Sequence, residues 1–129
     1  MLGQANAIPT IGVKNLEAAK QFYENKLGLT PLATNDIPEG DEHVQLYKSG
    51  DSSIEIYESE FAGTNQATAV SWEVSSVEKE VESLKGKGVS FEHYQFPETK
   101  LVGDVHVAKD MKIAWFKDPD GNILCLHGH

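Results

Sequence analysis

The fold is decided by the stretch Ala114-Trp115-Phe116-Lys117-Asp118-Pro119-Asp120-Gly121-Asn122-Ile123-Leu124-Cys125-Leu126. Apolar and aromatic residues lead into a turn in which Pro119 has a restricted φ and Gly121 can adopt a positive φ. A β-rich run follows the turn, so the stretch predicts a β-hairpin. A closing strand of the same kind, Ile54-Glu55-Ile56, occurs earlier in the chain. The hairpin therefore closes a unit that is present twice.

Both halves of the chain have the order strand, helix and three strands. Ile11-Gly12-Val13-Lys14-Asn15-Leu16-Glu17 aligns with Trp72-Glu73-Val74-Ser75-Ser76-Val77-Glu78, and the helices end at similar distances, at Gly28 and Gly88. The halves are a first βαβββ module over 7–60 and a second over 68–127, joined by a linker over 61–67. Because the repeat has only two units, it indicates pseudo-symmetry within a single domain, residues 1–129. The predicted fold class is α+β, with the modules forming a mixed, curled sheet around a central cleft.

In the first module the spacing predicts a strand over 7–13, a helix over 16–27 capped by Asn15, and a short strand over 29–34. The runs 43–47 and 53–57 alternate with period two, which is typical of half-buried strands. We expect the face that packs on the helix to carry the aliphatic residues Val44, Leu46, Ile54 and Ile56. The opposite face, wet or lining the cleft, then carries His43, Gln45, Tyr47, Glu55 and Tyr57.

In the second module a strand over 70–74 places Trp72 on the helix-packed side and Ser71 on the other side. Ser75 and Glu78 have the spacing of a capping box for the next helix. The remaining predicted elements are a strand near 89–94, a loop with Pro97 and Gly103, and a strand within 105–116. In this last strand, alternation does not determine which residues face the cleft.

The composition limits the classes of function. The chain has 129 residues and a net charge of −9, which argues against binding nucleic acid and mildly favours cationic or neutral small ligands. There is no bilayer-spanning apolar run and no signal-peptide pattern at the start, so we expect a cytoplasmic protein without a membrane partner. Cys125 is the only cysteine, which excludes an intrachain disulfide and a thiolate-rich metal site.

The order βαβββ–βαβββ, with the run Phe22-Tyr23-Glu24-Asn25-Lys26-Leu27-Gly28-Leu29 and the turn Asp118-Pro119-Asp120-Gly121-Asn122, resembles the vicinal oxygen chelate superfamily. This superfamily contains glyoxalase I, bleomycin-resistance proteins and extradiol dioxygenases. The resemblance covers nearly the whole chain and implies a homodimer. It indicates the fold but not the substrate, because one fold supports many functions.

The resemblance also implies where a metal would bind, because metal-using members place a ligand on the first and the last strand of each module. The corresponding positions here are Ile8, Glu55, Ala69 and Cys125, of which only Glu55 is a usual ligand. One carboxylate does not hold a divalent ion, so we expect no metal and no other cofactor. An alternative donor set combines Glu55 with His43, His106 and His127, and would support a lyase or dioxygenase that uses Zn, Ni, Mn or Fe.

Without a metal, the chain is similar to the antibiotic-sequestering members, which bind by shape, aromatic stacking and negative charge. The predicted function is binding of a small organic ligand, neutral or cationic, in a metal-free acidic and aromatic cleft. The predicted ligand-binding residues are His43, Tyr47, Glu55, Tyr57, Ser71, His106, Trp115, Phe116 and Cys125, and Glu55 is also the candidate catalytic base. Two alternatives stay open: the metal-dependent enzyme, and a regulatory or scaffold protein whose cleft binds nothing.

Overall fold

The computed structural model describes residues 1–129, which divide into two compact units, residues 1–64 and residues 65–129. After a 3₁₀ turn at Leu2–Gln4, the first unit contains strands β1 (Thr10–Val13), β2 (Thr30–Leu32), β3 (Val44–Ser49) and β4 (Ser52–Glu58), and helix α1 (Leu16–Lys20), which continues as π-helical turns over Gln21–Lys26. The second contains helix α2 (Val77–Gly86) and strands β5 (Thr68–Glu73), β6 (Phe91–Glu92), β7 (Lys100–Val102), β8 (Val105–Ala108), β9 (Met111–Lys117) and β10 (Ile123–Gly128). The predicted α+β class is confirmed. No helix has the length and apolar character needed to cross a membrane.

The sheet of the first unit has the strand order β1-β4-β3-β2, with β1 parallel to β4 and the other neighbours antiparallel. Helix α1 begins after Asn15, whose side chain accepts a hydrogen bond from the N–H of Ala18 (3.0 Å), as the sequence predicted. The helical segment ends before Gly28, whose φ of 74° suits a residue without a Cβ. The first strand begins at Thr10 rather than at residue 7, because Pro9 has no N–H with which to extend the ladder.

The facing predicted for β3 is wrong by one residue. Paired residues of neighbouring strands have their side chains on the same face, and Tyr47 pairs with Ile54 whereas Leu46 pairs with Glu55. We call the face on which the helix packs the covered face and the opposite one the uncovered face. The covered face carries Gln45, Tyr47, Ile54 and Ile56, and the uncovered face carries Val44, Leu46, Glu55 and Tyr57.

Tyr47 is therefore part of the core and not of a ligand-binding face. Its side chain is fully buried and stacks on Tyr23, with ring centroids 6.3 Å apart. Its hydroxyl donates a hydrogen bond to the carboxylate of Glu24 (2.7 Å), on the π-helical turns that follow α1. Burial raises the pKa of the phenol, which keeps it protonated as the donor. The polar end of a buried tyrosine is thus satisfied inside the protein.

The sheet of the second unit has the order β5-β10-β9-β8-β7, and β6 pairs with β9 on the same edge as β8. The order β5-β10-β9-β6 repeats that of the first unit, including the parallel first and last strands. The β7–β8 hairpin is an addition to the repeat. Strand β7 lies where the sequence predicted a loop, because three residues are too few to show an alternation.

The pairing of β9 with β10 shows which residues of the second unit lie on its covered face. Phe116 pairs with Leu124, and it stacks on Trp72 with centroids 6.4 Å apart. Lys112 lies four residues before Phe116 on β9, on the same face, and forms an ion pair with Glu78 of α2 (2.6 Å). This is therefore the covered face. The prediction for Trp72 is confirmed, whereas the predicted cleft position of Phe116 is wrong, because it is fully buried under the helix.

Helix α2 begins one residue later than the capping box predicted. The side chain of Ser76, not that of Ser75, accepts a hydrogen bond from the N–H of Lys79 (3.3 Å). Val77, Val81 and Leu84 are buried along one face, as their spacing predicts, and Gly88 follows the helix with a φ of 88°. The apolar stripe of the helix was thus predictable, while the choice between two adjacent serines was not.

The turn between β9 and β10 is closed by the buried carboxylate of Asp118. One carboxylate oxygen accepts hydrogen bonds from the N–H groups of Asp120 (3.0 Å) and Asn122 (2.9 Å). The other oxygen accepts a bond from the side-chain amide of Asn122 (2.8 Å). Gly121 adopts a φ of 90°, which explains the glycine at this position. The predicted hairpin is confirmed, and its turn is a hydrogen-bonded network rather than a flexible loop.

Substitutions of Tyr47 test its assignment to the core. We expect Tyr47→Phe to lower the free energy of unfolding by about 1 kcal/mol through loss of the bond to Glu24, and Tyr47→Ala to lower it by about 3–5 kcal/mol. Tyr57→Ala, on the uncovered face and 39% exposed, is the matched control and should change it by less than about 0.5–1 kcal/mol. Urea denaturation measures all three, and a larger loss for Tyr57→Ala would contradict the assignment.

Replacing Asp118 tests the turn. Asp118→Ala removes the carboxylate that accepts from the backbone and side-chain N–H groups of Asn122, so we expect a loss of about 2–4 kcal/mol in the free energy of unfolding. Asp120→Ala is the control, because the backbone N–H of Asp120, not its carboxylate, joins the network. Equal effects of the two substitutions would contradict the assignment of the turn to the Asp118 hydrogen bonds.

Candidate functional site

In the first unit, the uncovered face presents a carboxylate without a partner. Glu55 is half-buried, and its side chain makes no hydrogen bond or ion pair within the chain. Its cross-strand neighbours are Thr10 on β1 and Leu46 on β3. The exposed Tyr57 is two residues further along β4. A carboxylate in such surroundings is available to accept a hydrogen bond or to pair with a cation.

His43 is not brought together with Glu55. It is exposed, and its Nδ1 is 2.7 Å from a carboxylate oxygen of Glu58. That hydrogen bond, with the charge of Glu58, raises the pKa of the His43 imidazole. The pairing therefore favours folding below about pH 6.5 and its contribution is lost as the pH rises through the folded-state pKa. His43 thus forms a surface ion pair when protonated, which is a weak interaction.

In the second unit, the uncovered face contains a row of three residues across three strands. Cys125 on β10 pairs with Ser71 on β5 and with Trp115 on β9. Ser71 is exposed, whereas Cys125 and Trp115 are buried. Trp115 also donates a hydrogen bond from its Nε1 to the hydroxyl of Thr68 (3.2 Å). Three of the predicted ligand-binding residues therefore lie side by side on the face opposite α2.

The thiol of Cys125 is chemically quiet. Burial raises its pKa, and the neighbouring Ser71 hydroxyl offsets this only in part. The Sγ atom lies 3.6 Å from the carbonyl oxygen of Leu126, as a weak donor. A protonated thiol is a poor nucleophile and a poor metal ligand.

Four rings form an aromatic cluster around Trp115, consisting of Tyr94, Phe96, His106 and Trp115 itself. Phe96 stacks on the indole at 5.8 Å, and Tyr94 and His106 meet it edge-on at 5.3 Å and 4.9 Å. Tyr94 and Phe96 belong to residues 93–99, a segment without helix or strand between β6 and β7 that we call the strap. Their side chains are 36% and 53% exposed. The cluster therefore consists of two buried rings, Trp115 and His106, and two partly exposed rings, Tyr94 and Phe96.

Two hollows flank the strap. One, of about 450 Å³, is the histidine hollow, lined by His93, Tyr94, Gln95, Phe96, Thr99, Leu101 and His106. The other, of about 320 Å³, is the tryptophan hollow, lined by Gln66, Ala67, Thr68, Tyr94, Phe96, Trp115 and Ile123. The rings of Tyr94 and Phe96 line both. Hollows of this volume match the lower part of the range found for small-molecule sites.

Sequence reasoning included neither Phe96 nor Tyr94 among the ligand-binding residues. The strap is irregular, so it offers no period from which a facing can be read. The available signal was the spacing itself, because Tyr94 and Phe96 are two aromatic residues two positions apart in a segment otherwise rich in polar residues. In an extended segment that spacing places both rings on the same side.

The residues present do not fit a metal site. No group of three or more His, Cys, Asp or Glu side chains is arranged to hold an ion. In the first unit the neighbour of Glu55 on β1 is Thr10, and Ile8 lies before the strand with 47% of its surface exposed. In the second unit Cys125 is a protonated thiol, and Ala69 has no donor atom.

The alternative histidine set is also separated. His106 and His127 both pair with Ile113, from opposite sides. Two strand spacings therefore lie between them, about 9–10 Å. That spacing is between backbones, and what argues against the set is that no three of these side chains form a group able to hold an ion. His43 and His106 are instead bonded through a ring nitrogen to Glu58 and to the backbone of Tyr94.

Comparison with known proteins identifies relatives of this fold. The sequence profile of the Glyoxalase/Bleomycin resistance protein/Dioxygenase superfamily matches residues 6–126. No significant match was found among curated proteins. Among solved structures, the glyoxalase family protein from Enterococcus faecalis is 25% identical, with a TM-score of 0.71 over 98% of this chain and 99% of that chain.

Two further structures have known ligands or activities in their own descriptions. TnmS3, an antibiotic binding protein from Streptomyces sp. CB03234, is 20% identical with a TM-score of 0.63 over 97% of both chains. The fosfomycin resistance protein FosX from Listeria monocytogenes, complexed with Mn(II) and sulfate, is 16% identical with a TM-score of 0.66 over 97% of this chain and 90% of that chain. At these identities the likeness shows the fold alone. Because the profile covers nearly the whole sequence, this chain belongs to the Glyoxalase/Bleomycin resistance protein/Dioxygenase superfamily.

Proposed function

We propose that this protein binds a small aromatic molecule, neutral or cationic, without the help of a metal ion. The observation that carries the proposal is the aromatic cluster, in which Tyr94 and Phe96 each expose a third or more of their surface beside two hollows. An aromatic ring left in water loses the free energy that its burial would supply, so a planar ligand that covers both rings binds favourably. The proposed mode of recognition is stacking.

Negative charge supports a preference for cations over anions. The net charge of −9 attracts positive ligands and repels phosphates and carboxylates. On the uncovered face of the first unit, we propose the unpaired carboxylate of Glu55 as a group that pairs with a cationic ligand. If the bound molecule is also transformed, Glu55 is the residue that we propose as the base.

Family likeness supports the same proposal. One structural neighbour is described as an antibiotic binding protein, and its fold is shared by this chain. We propose, on the same basis, that the protein acts as a homodimer in the cytoplasm. The second candidate function is that of a metal-dependent lyase or dioxygenase, which the Mn(II) complex of FosX favours. The donor residues of this chain weigh against it, because the implied ligand positions are Ile8, Glu55, Ala69 and Cys125, which offer a single carboxylate and a protonated thiol.

Ligand-induced stabilisation tests the first candidate. A panel of aromatic amines, antibiotics and 2-oxo compounds should contain members that raise the Tm, because a ligand at 100 times its Kd stabilises the folded state by about 2.7 kcal/mol. We expect Phe96→Ala to weaken binding of such a compound about tenfold or more, since one face of the stack is lost. Phe61→Ala is the matched control, because Phe61 is 70% exposed and lies in the first unit.

Equal affinities of the two phenylalanine variants would remove the aromatic cluster from the site. A panel without any Tm shift would favour the scaffold interpretation. Element analysis of the same preparation separates the enzyme alternative, because a stoichiometric content of Zn, Ni, Mn or Fe would contradict metal-free binding.

The charge of Glu55 has a test of its own. With a cationic member of the panel that binds, Glu55→Gln should weaken affinity about three- to tenfold, while a neutral analogue of similar shape should bind as before. Because Glu55 has no partner within the chain, the substitution should leave the free energy of unfolding unchanged within about 0.5 kcal/mol. Titration calorimetry with both ligands measures the difference, and an unchanged affinity for the cation removes Glu55 from the site.

A further inference from the structure

His106 is buried with half of its hydrogen-bonding capacity unused. Only 1% of its surface is exposed, and it lies on β8 at the base of the aromatic cluster. Its Nε2 lies 3.0 Å from the backbone N and 3.1 Å from the backbone O of Tyr94. Its Nδ1 is inaccessible to solvent and has no hydrogen-bond partner. It is the only buried side-chain nitrogen or oxygen in residues 1–129 in this condition.

The unused nitrogen is independent of how the ring is protonated. If Nε2 accepts from the Tyr94 N–H, then Nδ1 carries the hydrogen and lacks an acceptor; if Nε2 donates to the Tyr94 carbonyl, Nδ1 is a bare acceptor that lacks a donor. In both tautomers a buried polar atom has left water without compensation, which costs free energy. Buried polar atoms are otherwise satisfied almost without exception in folded proteins. An exception next to a hollow therefore indicates a missing partner.

The histidine hollow is where that partner can bind. His106 is one of its lining residues, together with the rings of Tyr94 and Phe96 and the side chain of Leu101. Its volume of about 450 Å³ accommodates a molecule with one or two rings. The strap that borders it has no strand pairing of its own and contains Glu98 at a φ of 60°, a conformation that non-glycine residues seldom adopt. Tyr94 ties the strap to the ring through Nε2, so contact of a ligand with Nδ1 requires a shift in the wall of the hollow, of which the strap is the part outside the sheet.

We propose that His106 is a specificity-determining residue, whose Nδ1 forms a hydrogen bond with a polar group of an aromatic ligand held in the histidine hollow. This inference rests on the proposed function and narrows it to ring compounds that carry a hydroxyl, amino or ring-nitrogen group. Stacking on Tyr94 and Phe96 supplies affinity for any flat ring, whereas the unpaired nitrogen selects among rings. A ligand group that pairs with Nδ1 gains the hydrogen bond that the free protein lacks, whereas an apolar analogue gains none, so binding favours the polar ring.

Phenol and toluene are a matched pair of probes, because they are similar in size and differ in hydrogen-bonding capacity. The Kd of each is measured by NMR titration on the full chain, with the ¹⁵N resonances of the His106 ring as a direct readout. We expect saturating phenol to shift the Nδ1 resonance and toluene to leave it near its free position. The ratio of the toluene Kd to the phenol Kd is the measure of selectivity.

Two substitutions separate the nitrogens of the ring. The amide of Gln reaches the place of Nε2, so His106→Gln keeps a partner for Tyr94 and removes Nδ1; the amide of Asn reaches the place of Nδ1, so His106→Asn does the opposite. We expect the Kd ratio to fall about tenfold in His106→Gln, the effect of one hydrogen bond. His106→Asn should retain most of the wild-type ratio, although both variants lose the ring. A purely structural histidine would change the two ratios equally.

The outcomes distinguish this inference from the proposed function. If both probes bind and the ratio is the same in wild type and His106→Gln, the hollow binds aromatic rings but His106 does not select them, and the inference is overturned alone. It is likewise overturned alone if saturating phenol leaves the Nδ1 resonance unmoved, as expected if only water occupies that position. If neither probe binds up to its solubility limit, the hollow does not take aromatic rings, and the inference falls together with the stacking mode of the proposed function.

Discussion

The carboxylate of Asp118 holds the turn that aligns the last two strands, and the chemistry of the second unit depends on that alignment. With the turn closed, Phe116 is opposite Leu124 and Trp115 is opposite Cys125. Because side chains alternate across a sheet, a slip of one residue would exchange Trp115 and Phe116 between the two faces. The helix-covered core and the ring that anchors the aromatic cluster are therefore specified by the same few hydrogen bonds.

The same rule explains which parts of the fold the sequence predicts. The hairpin of β9 and β10, both helices and the repeat were all predictable, since each has a strong local signal: a turn motif, an apolar stripe or a closing glycine. The side of the sheet on which each β3 residue lies was not predictable. Both faces of Val44-Gln45-Leu46-Tyr47 contain apolar atoms, so alternation there does not tell inside from outside. Only the partner of Tyr47 on the helical segment, Glu24, decides it, and that contact is far away in sequence.

The candidate site was predictable to a similar degree. Ser71 and Cys125 were predictable because they belong to strands with a clear alternation, whereas Trp115 and His106 were included although the facing of their strand was open. All four lie on or beside one uncovered face. Phe96 and Tyr94 were not predicted because the strap has no alternation from which to assign them to a face. His43 was grouped with Glu55 by parity, but a hydrogen bond to Glu58 holds it at the surface. Regular elements thus allow a candidate face to be predicted, whereas the irregular segment beside it cannot be assigned until its packing is known.

The two units show how one frame carries different chemistry. In each, a residue on the last strand pairs with a hydroxyl residue on the first: Glu55 with Thr10, and Cys125 with Ser71. The first pair offers a charge that has no partner, and the second offers a thiol that burial keeps protonated. Neither pair is a chelate, so affinity for a ligand has to come from elsewhere. In the second unit we assign affinity to stacking on the exposed rings, and selectivity to a hydrogen bond with the unpaired nitrogen of His106. Stacking alone would bind any flat molecule, and a single hydrogen bond alone would bind too weakly to matter. We therefore assign recognition to stacking and the hydrogen bond acting together.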